Sequence, residues 1–576
     1  MKLAIQGCSH GELDAIYASL LRTEATQSLA IDALLLCGDF QAIRNHSDLH
    51  ALAVPQKYRQ LGDFHAYYSG QKVAPILTLV IGGNHEASNY MHELYHGGWL
   101  APNIYFLGAA GVVELNGLVI AGISGIYKEH DYRKGRFEKL PYDAGTIRSC
   151  YHTREFDVVR LKAMQSSRPD IMLSHDWPNT IEQWGDTQGL IRKKPFFKDE
   201  IETRTLGSPP LMELLQCLKP SFWFSAHLHV KFAALYNHDQ PVTSTVSNTA
   251  VDNANPEAID IDLDSDTDDP QPPQESATVA APSASTTDTT INTDSKNGTT
   301  RFLALHKCLP HTPFLQIIDH ASPHDSVLES RKAALQYQRR VPPTLRYNKR
   351  WLAITRAFHP HFSLQYRQGH LPDPSDPDLL RKIEEEERWI DQHLSSLNGG
   401  TKNSGKRKQD EPEGSRLPTP ESTEEKVEDG DGDGEWLDVT RVQQFVRTAP
   451  ATFEPGGLNQ GPPSWYTNPQ TEAFCRLVGI ENQINPRPEF HPHPTGQHAV
   501  YHSPQHRAGG AQSMQSSTTE ADPNALAIDM DDLDSESECG EDHAAAESSH
   551  GQEAQDGILR LSDDDELHAR WKEGTG

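Results

Sequence analysis

Cysteine is scarce in this chain. There are seven among 576 residues, an odd number scattered at positions 8, 37, 150, 217, 308, 475 and 539 without paired spacing. That excludes a disulfide framework and points to free thiols in a reducing compartment. No apolar run reaches the length of about 18 residues that a membrane span needs, and no leader-like stretch precedes the first apolar run, MKLAIQG (1–7), so a soluble protein is expected. Basic residues are also few, 52 Lys and Arg against 81 Asp and Glu, for a net charge of −29. The deficit is local. Residues 239–300 carry 12 acids and one Lys, and residues 401–576 carry 34 acids and 14 bases, which leaves the remainder near +2. Stretches this acidic and poor in apolar residues cannot bury enough surface to fold alone, so the net charge says little about what the folded part binds.

Over the first 235 residues, short apolar runs alternate with helix-length stretches. The runs are MKLAIQG (1–7), ALLLCGD (33–39), ILTLVIGG (76–83), IYFLG (104–108), DIMLSH (170–175) and FWFSAH (222–227). Their length and their Gly or polar boundaries predict buried strands joined by crossover helices, an α/β domain with a mixed sheet system. Asn116-Gly117, between VVEL and LVIAG, predicts a hairpin. The strand-like KFAALY (231–236) breaks into the acidic 239–300 segment, and strand character resumes at FLALHKCLPHTPFLQIID (302–319), which predicts a disordered insertion inside a domain. Residues 326–397 read as helical, with Leu379, Leu380, Ile383, Trp389, Ile390 and Leu394 on one face and Asn398-Gly399-Gly400 as the stop. In the tail, NPQTEAFCRLVGI (468–480) is the one apolar island and predicts a short docking helix; Lys402–Lys408 (KNSGKRK) reads equally as a nuclear address or a linker charge cluster.

Metal-binding residue types recur at the carboxyl ends of the predicted strands, where open α/β sheets place their ligands. Cys8 and His10 follow the first strand, Asp39 the second, Asn84, His85 and Glu86 the third; His175 closes the next, and His227 with His229 closes the last. On extended backbone, residues i and i+2 point the same way, so each of the pairs 8/10 and 227/229 is expected to face one ion. A single such motif is more often a turn or a buried hydrophobe. Five in order, each after a strand, are a constellation.

This ordered set resembles the calcineurin-like metallophosphoesterases, whose pattern reads D-x-H, G-D, G-N-H-E, H and G-H-x-H; Cys8 stands at the first Asp and Ala226 at the Gly before the last motif. The cysteine, HGELD, GNHEASNY, GISGIYKEHDYRKGRFEKLPYD (122–143), LSHDWP, FLALHKCLP and NPQTEAFC narrow the resemblance to the lariat debranching family. It implies an αββα sandwich of mixed sheets with flanking helices over residues 1–238, with a lariat-recognition loop at about 128–154. A C-terminal domain (301–397) completes the fold after the insertion, and 398–576 is a largely disordered tail with an ordered island at about 468–486. Two further departures, Ser9 and His306, are expected to point away from the metals and to lie far from every ligand motif, respectively.

The resemblance further implies two divalent metal ions, Fe²⁺ or Zn²⁺ with Mn²⁺ as a third candidate, because a thiolate is a softer ligand than a carboxylate. Cys8, His10, Asp39 and His229 would hold one; Asp39 bridges, and Asn84, His175 and His227 complete the second. His85 is the implied general acid, and Glu86 and Asp176 would steady imidazoles. The implied substrate is branched intron lariat RNA, cut at its 2′-5′ bond during intron turnover after splicing, in the nucleus with possible shuttling to the cytoplasm. Splicing-related proteins are the implied partners of the tail, and no membrane is. Residues 128–154 hold seven bases against four acids, interleaved with aromatics, a composition suited to unpaired RNA. Tyr127, Lys128, Arg133, Lys134, Arg136 and Arg154 are therefore candidate RNA contacts, as are Arg44, Asn45 and Asn89 near the ligand motifs. Two other readings compete. A phosphoprotein or cyclic-nucleotide phosphoesterase would usually have Asp at position 8 and no such loop, and a metal-free scaffold would be expected to have lost donors.

Overall fold

The computed structural model describes residues 1–239, 298–320, 342–401 and 437–488, the last five of the third segment by backbone only. Among them thirteen strands run in chain order: β1 Lys2–Gln6, β2 Ala33–Leu36, β3 Leu77–Val80, β4 Gly98–Ala101, β5 Ile104–Phe106, β6 Ala110–Leu115, β7 Leu118–Ile123, β8 Ile171–Ser174, β9 Phe222–Ser225, β10 Phe232–Asn237, β11 Thr299–Ala304, β12 Leu315–Asp319 and β13 Leu345–Tyr347. They form a six-stranded sheet, β12-β1-β2-β3-β5-β4, and a seven-stranded sheet, β10-β11-β9-β8-β7-β6-β13.

Each central strand is apolar on both sides because each side meets a different layer. Leu3, Ile5, Leu35, Leu77 and Leu79 share one core with Leu115, Ile120, Leu173, Phe224 and Leu303 of the second sheet. The intervening Ala4, Leu34, Leu36 and Val80 pack on Leu13, Ile16, Tyr17 and Leu20 of the helix Leu13–Gln27. Val112, Ala121, Met172, Trp223 and Phe302 cover the other side of the second sheet against the helices Glu155–Lys162 and Pro209–Leu218. The result is the expected αββα sandwich. In both sheets the central strands are parallel, β1-β2-β3-β5 and β7-β8-β9-β11, so the ends carrying the donors gather on one edge.

Asn116 (φ 48°) and Gly117 (φ 82°) make the predicted two-residue turn between β6 and β7, both in the left-handed region that this turn requires. β10 and β11 pair antiparallel from Phe232↔Ala304 to Asn237↔Thr299, and the His238 N–H donates to the Gly298 carbonyl at 2.9 Å. The acidic segment therefore leaves and re-enters at a hairpin tip. Residues 240–297, Lys402–Lys408 and everything beyond 488 lie outside the described residues, as do the expectations of disorder made for them. Among the described residues no helix is long and apolar enough to cross a membrane.

The C-terminal part differs from expectation in three places. A strand, β13, precedes the helix Lys349–Phe358; the helix Pro377–Thr401 runs through Asn398-Gly399-Gly400; and the ordered island spans 437–488 rather than 468–486. Hydrogen bonds that carry no periodic signal hold the island. Gln443 donates to the Gly97 and Gln470 carbonyls and accepts from the Tyr105 and Tyr347 hydroxyls. Gln470 takes the Trp99 N–H at 2.7 Å and donates to the Trp99 carbonyl at 2.9 Å, so a side-chain amide pairs the outer edge of β4 as another strand would. Asn468 caps the helix Pro469–Val478, which buries Phe474, Leu477 and Val478 against the inter-sheet core.

Gln470→Ala leaves two buried backbone groups of Trp99 without partners. At about 1–3 kcal/mol each, urea denaturation should show about 2–6 kcal/mol lost. A change below about 0.5 kcal/mol, the scatter of ordinary surface substitutions, would show that water serves that edge equally well.

Candidate metal centre

The donors on the shared edge do converge. Donor atoms of Cys8, His10, Asp39 and His229 lie within 4.8 Å of one another. His10 Nε2 is 3.1 Å from His229 Nε2 and 3.6 Å from Asp39 Oδ2. On the other side of the carboxylate, His175 Nε2 is 3.3 Å from Asp39 Oδ1 and 3.0 Å from Asn84 Oδ1, and the His227 ring centroid is 5.0 Å from that of His175. Asp39 is thus shared between two donor groups, as the bridging assignment requires.

The route to convergence differs from the i, i+2 expectation. His10 (φ 45°), Asp39 (φ 45°), His227 (φ 64°) and His229 (φ 46°) all have left-handed backbone, and none lies in a strand. His227 turns to His175 while His229 turns to His10, so this pair divides between the two donor groups. Four non-glycine residues in that region mark backbone held by its surroundings for a purpose. Two glycines make the space. A Cβ on Gly83 would lie 2.2 Å from Asp39 Oδ1, and one on Gly38 would lie 2.4 Å from His175 Nδ1.

The donor set fits divalent metals. The His175 Nδ1–H donates to the Cys37 carbonyl at 2.8 Å, which leaves the Nε2 lone pair aimed at two oxygens, an arrangement that only a cation or a proton between them relieves. Burial, helped by the charges of His10 and Lys307, pushes His229 down to about 2 and keeps it in the neutral form that ligates metal. Burial would raise Asp39, but His175, His85 and His10 hold it well below the usual carboxylate range. Cys8 is fully buried, and its Sγ accepts the His227 N–H at 3.2 Å. Cys8, His10, Asp39 and His229 would hold one metal, and Asn84 and His175, with Asp39 and the neighbouring His227, would hold a second.

His85 is 8 % exposed at the mouth of this cluster; its N–H donates to Asp39 Oδ1 at 2.9 Å, and its ring centroid is 5.4 Å from that of His10. Glu86 and Asp176 do not hold imidazoles. Glu86 accepts the N–H groups of Phe40, Gln41 and Gly83 at 2.7–2.9 Å, tying the Asp39 turn to the Asn84 turn. Burial pushes its carboxyl up to about 7. Asp176 accepts its neighbour Trp177's N–H. The Cys37 carbonyl, which no residue-type motif could mark, orients His175.

The candidate RNA contacts separate into two groups. Arg44 is buried between Asp48 and Glu93, both at 2.8 Å, and donates to Thr448; Asn45 donates to the Pro450 carbonyl, and Asn89 to Asp48. Arg44 and Asn45 tie the loop after Asp39 to the 437–488 segment, and Asn89 holds the Asp48 carboxylate that pairs with Arg44. Within the 128–154 loop, Arg136 pairs with Asp157 at 2.9 Å, Lys134 with Asp131 at 2.6 Å, and Arg154 with Glu138. They fold the loop. His152 and His130 also approach Asp131, at 2.6 and 3.4 Å, forming a second donor group that shares its carboxylate with the Lys134 ammonium. Tyr127, Lys128 and Arg133 remain accessible at the surface. Ser9 is buried and donates to the Asp39 carbonyl, away from the donors as expected. His306 contradicts expectation: its ring centroid is 6.2 Å from that of His229, because the β10–β11 register folds the chain back across the insertion.

Residues 1–231 match the family model of calcineurin-like phosphoesterases, and residues 297–483 match that of the lariat debranching enzyme C-terminal domain. The lariat debranching enzyme of Homo sapiens is 44% identical over 373 residues, 65% of this chain and 56% of that protein. That of Drosophila melanogaster is 41% identical over 492 residues, 84% of this chain and 78% of that protein. That of Arabidopsis thaliana is 43% identical over 395 residues, 68% of this chain and 76% of that protein. The chain spans little more than half the length of the vertebrate relatives, with 57% of the Xenopus laevis protein and 53% of the Mus musculus protein covered.

Gly83→Ala forces Asp39 to move. Divalent-metal content by elemental analysis should fall at least severalfold while the circular dichroism spectrum is kept, since clashes this close cannot be absorbed without a shift. Full metal content in that variant would remove Asp39 from the ligand set.

Proposed function

The chain belongs to the lariat debranching enzyme family, and from that premise we propose that it hydrolyses the 2′-5′ phosphodiester at the branch point of excised intron lariats. The observation that carries the proposal is the two-sided donor cluster on Asp39 with a thiol among its members. A phosphodiester is anionic and resists attack by an oxygen nucleophile, and two divalent ions, when bound, supply the charge neutralisation and the activated water that such a reaction requires. Cys8 and the four imidazoles favour Zn²⁺ or Fe²⁺, with Mn²⁺ as the harder alternative.

The chain's own residues do the rest. Asp39 and the two crowded glycines keep the donor groups at one fixed separation. His85, at the mouth of the cluster and anchored through its own N–H, gives a proton to the departing 2′-oxygen, which would otherwise leave as a poor alkoxide. The products are a linear RNA with a 2′-hydroxyl at the former branch and a 5′-phosphate. Tyr127, Lys128 and Arg133 hold the RNA from the loop side, an aromatic face and two cations, with Arg133 4.0 Å from Glu155. The proposal extends to a role in intron turnover, a nuclear location with shuttling to the cytoplasm, and splicing-related partners of the tail.

Incubation of the metal-loaded protein with a synthetic 2′-5′ branched RNA and a linear 3′-5′ control should cut the first and spare the second; cleavage of neither, or of both equally, would overturn the assignment. His85→Ala should keep its metal content and lose about 10²–10⁴-fold in turnover, the usual worth of a positioned acid. Retained activity would remove His85 from the mechanism. Cys8→Asp should shift metal preference from Zn²⁺ or Fe²⁺ towards Mn²⁺ in competitive loading, and an unchanged profile would show that the thiol is not a ligand.

A further inference from the structure

A branched RNA presents three strands at one nucleotide, and the 128–154 loop commits Lys134, Arg136 and Arg154 to internal pairs. A second basic surface lies on the His229 side of the cluster. The pairing Phe232↔Ala304 makes the chain leaving β11, Leu305-His306-Lys307, run back past Val230 and His229. The Lys307 charge bears on both His229 and His306; Lys194 also bears on His306, and Lys193 on Lys231. Lys193 ends the helix Thr187–Lys193, and the turn Pro195–Phe197 follows. Phe197 is buried and anchors that turn. Phe196 is 58 % exposed, with the Lys194 ammonium 5.7 Å from its ring centroid. A large aromatic face held in water beside the Lys194 ammonium, on a segment whose lysines approach Lys231 and His306, has no role in the core. The neighbouring Lys198 turns instead to Glu202 at 3.9 Å.

We propose that Lys193, Lys194, Phe196, Lys231, His306 and Lys307 form a strip that carries one single-stranded arm of the branched RNA away from the metal centre. The lysines meet successive phosphates, Phe196 stacks under an unpaired base, and His306 floors the path where it leaves His229. Cations tracking a backbone with an aromatic platform is how proteins hold single strands without reading their sequence. The strip rests on the debranching assignment for the identity of its ligand but not for its chemistry.

The test uses the full-length, metal-loaded protein with Lys193→Ala/Lys194→Ala/Lys307→Ala, the same three positions as Arg, and Phe196→Ala. Two branched RNAs serve as substrates, one with arms of about eight nucleotides and one trimmed to the branch dinucleotide. The alanine triple variant should lose about tenfold more kcat/KM on the long-armed RNA than on the trimmed one. Its salt dependence should become shallower by about 2 in logarithmic slope, about 0.7 for each phosphate that no longer meets a lysine. The arginine variant should restore both, and Phe196→Ala should lower long-arm kcat/KM about fivefold or more without altering the salt slope. Equal losses on both substrates, or an unchanged slope, would overturn the strip. Anisotropy of a linear single-stranded oligonucleotide separates the two readings. If the wild type cuts no branch, the debranching assignment falls. The strip then stands or falls on whether the triple variant weakens that binding.

Discussion

One carboxylate organises this molecule. Asp39 offers an oxygen to each of two donor groups, so everything that bears a ligand must approach it within about one side-chain length, from five strand ends in two different sheets. Close approach of that kind is a backbone problem before it is a chemical one. It is solved by Gly83, which leaves room against Asp39, by Gly38, which leaves room against His175, and by four left-handed non-glycine residues that turn side chains where an extended chain could not. Glu86 then fastens the turns, with three backbone amides on one carboxylate, so the ligand loops move as one body.

The support reaches much further along the chain than the ligands do. The loop after Asp39 is held by Arg44 among Asp48, Glu93 and Thr448, and Thr448 belongs to a segment about four hundred residues downstream. Asn45 and Tyr68 reach the same segment through Pro450 and Ala449. Gln443 and Gln470 fasten it to the edge of the first sheet. The C-terminal segment is therefore part of the foundation under the donor cluster, whatever else it contacts.

How much of this could be read from sequence depends on the range over which each feature is determined. The strands, their apolar runs, the Asn116-Gly117 turn and the donors at strand ends are local features, and local composition reports them well. The roles of Arg44, Arg136 and Arg154 are not local. A basic residue in a loop has the same appearance whether its carboxylate partner sits beside it in space or not, and composition read them as facing RNA when the fold turns them inward. His306 shows the same limit from the other side. Its nearness to His229 is created by strand register across the acidic excursion, and no spacing rule spans that gap. The segment 437–467 stayed illegible because hydrogen bonds to distant residues hold much of it, and its buried apolar residues, Val439 among them, are too scattered to show a period.

The hairpin tip at His238 and Gly298 has a consequence of its own. A backbone hydrogen bond joins His238 to Gly298, and the ladder below it is complete from Asn237 to Phe232. The two strands that bring His229 and His306 together are thus locked before the excursion begins, so its length and composition are mechanically uncoupled from the distance between those imidazoles. A reporter domain spliced into that stretch would ride as a passenger, leaving the spacing of the two imidazoles unchanged.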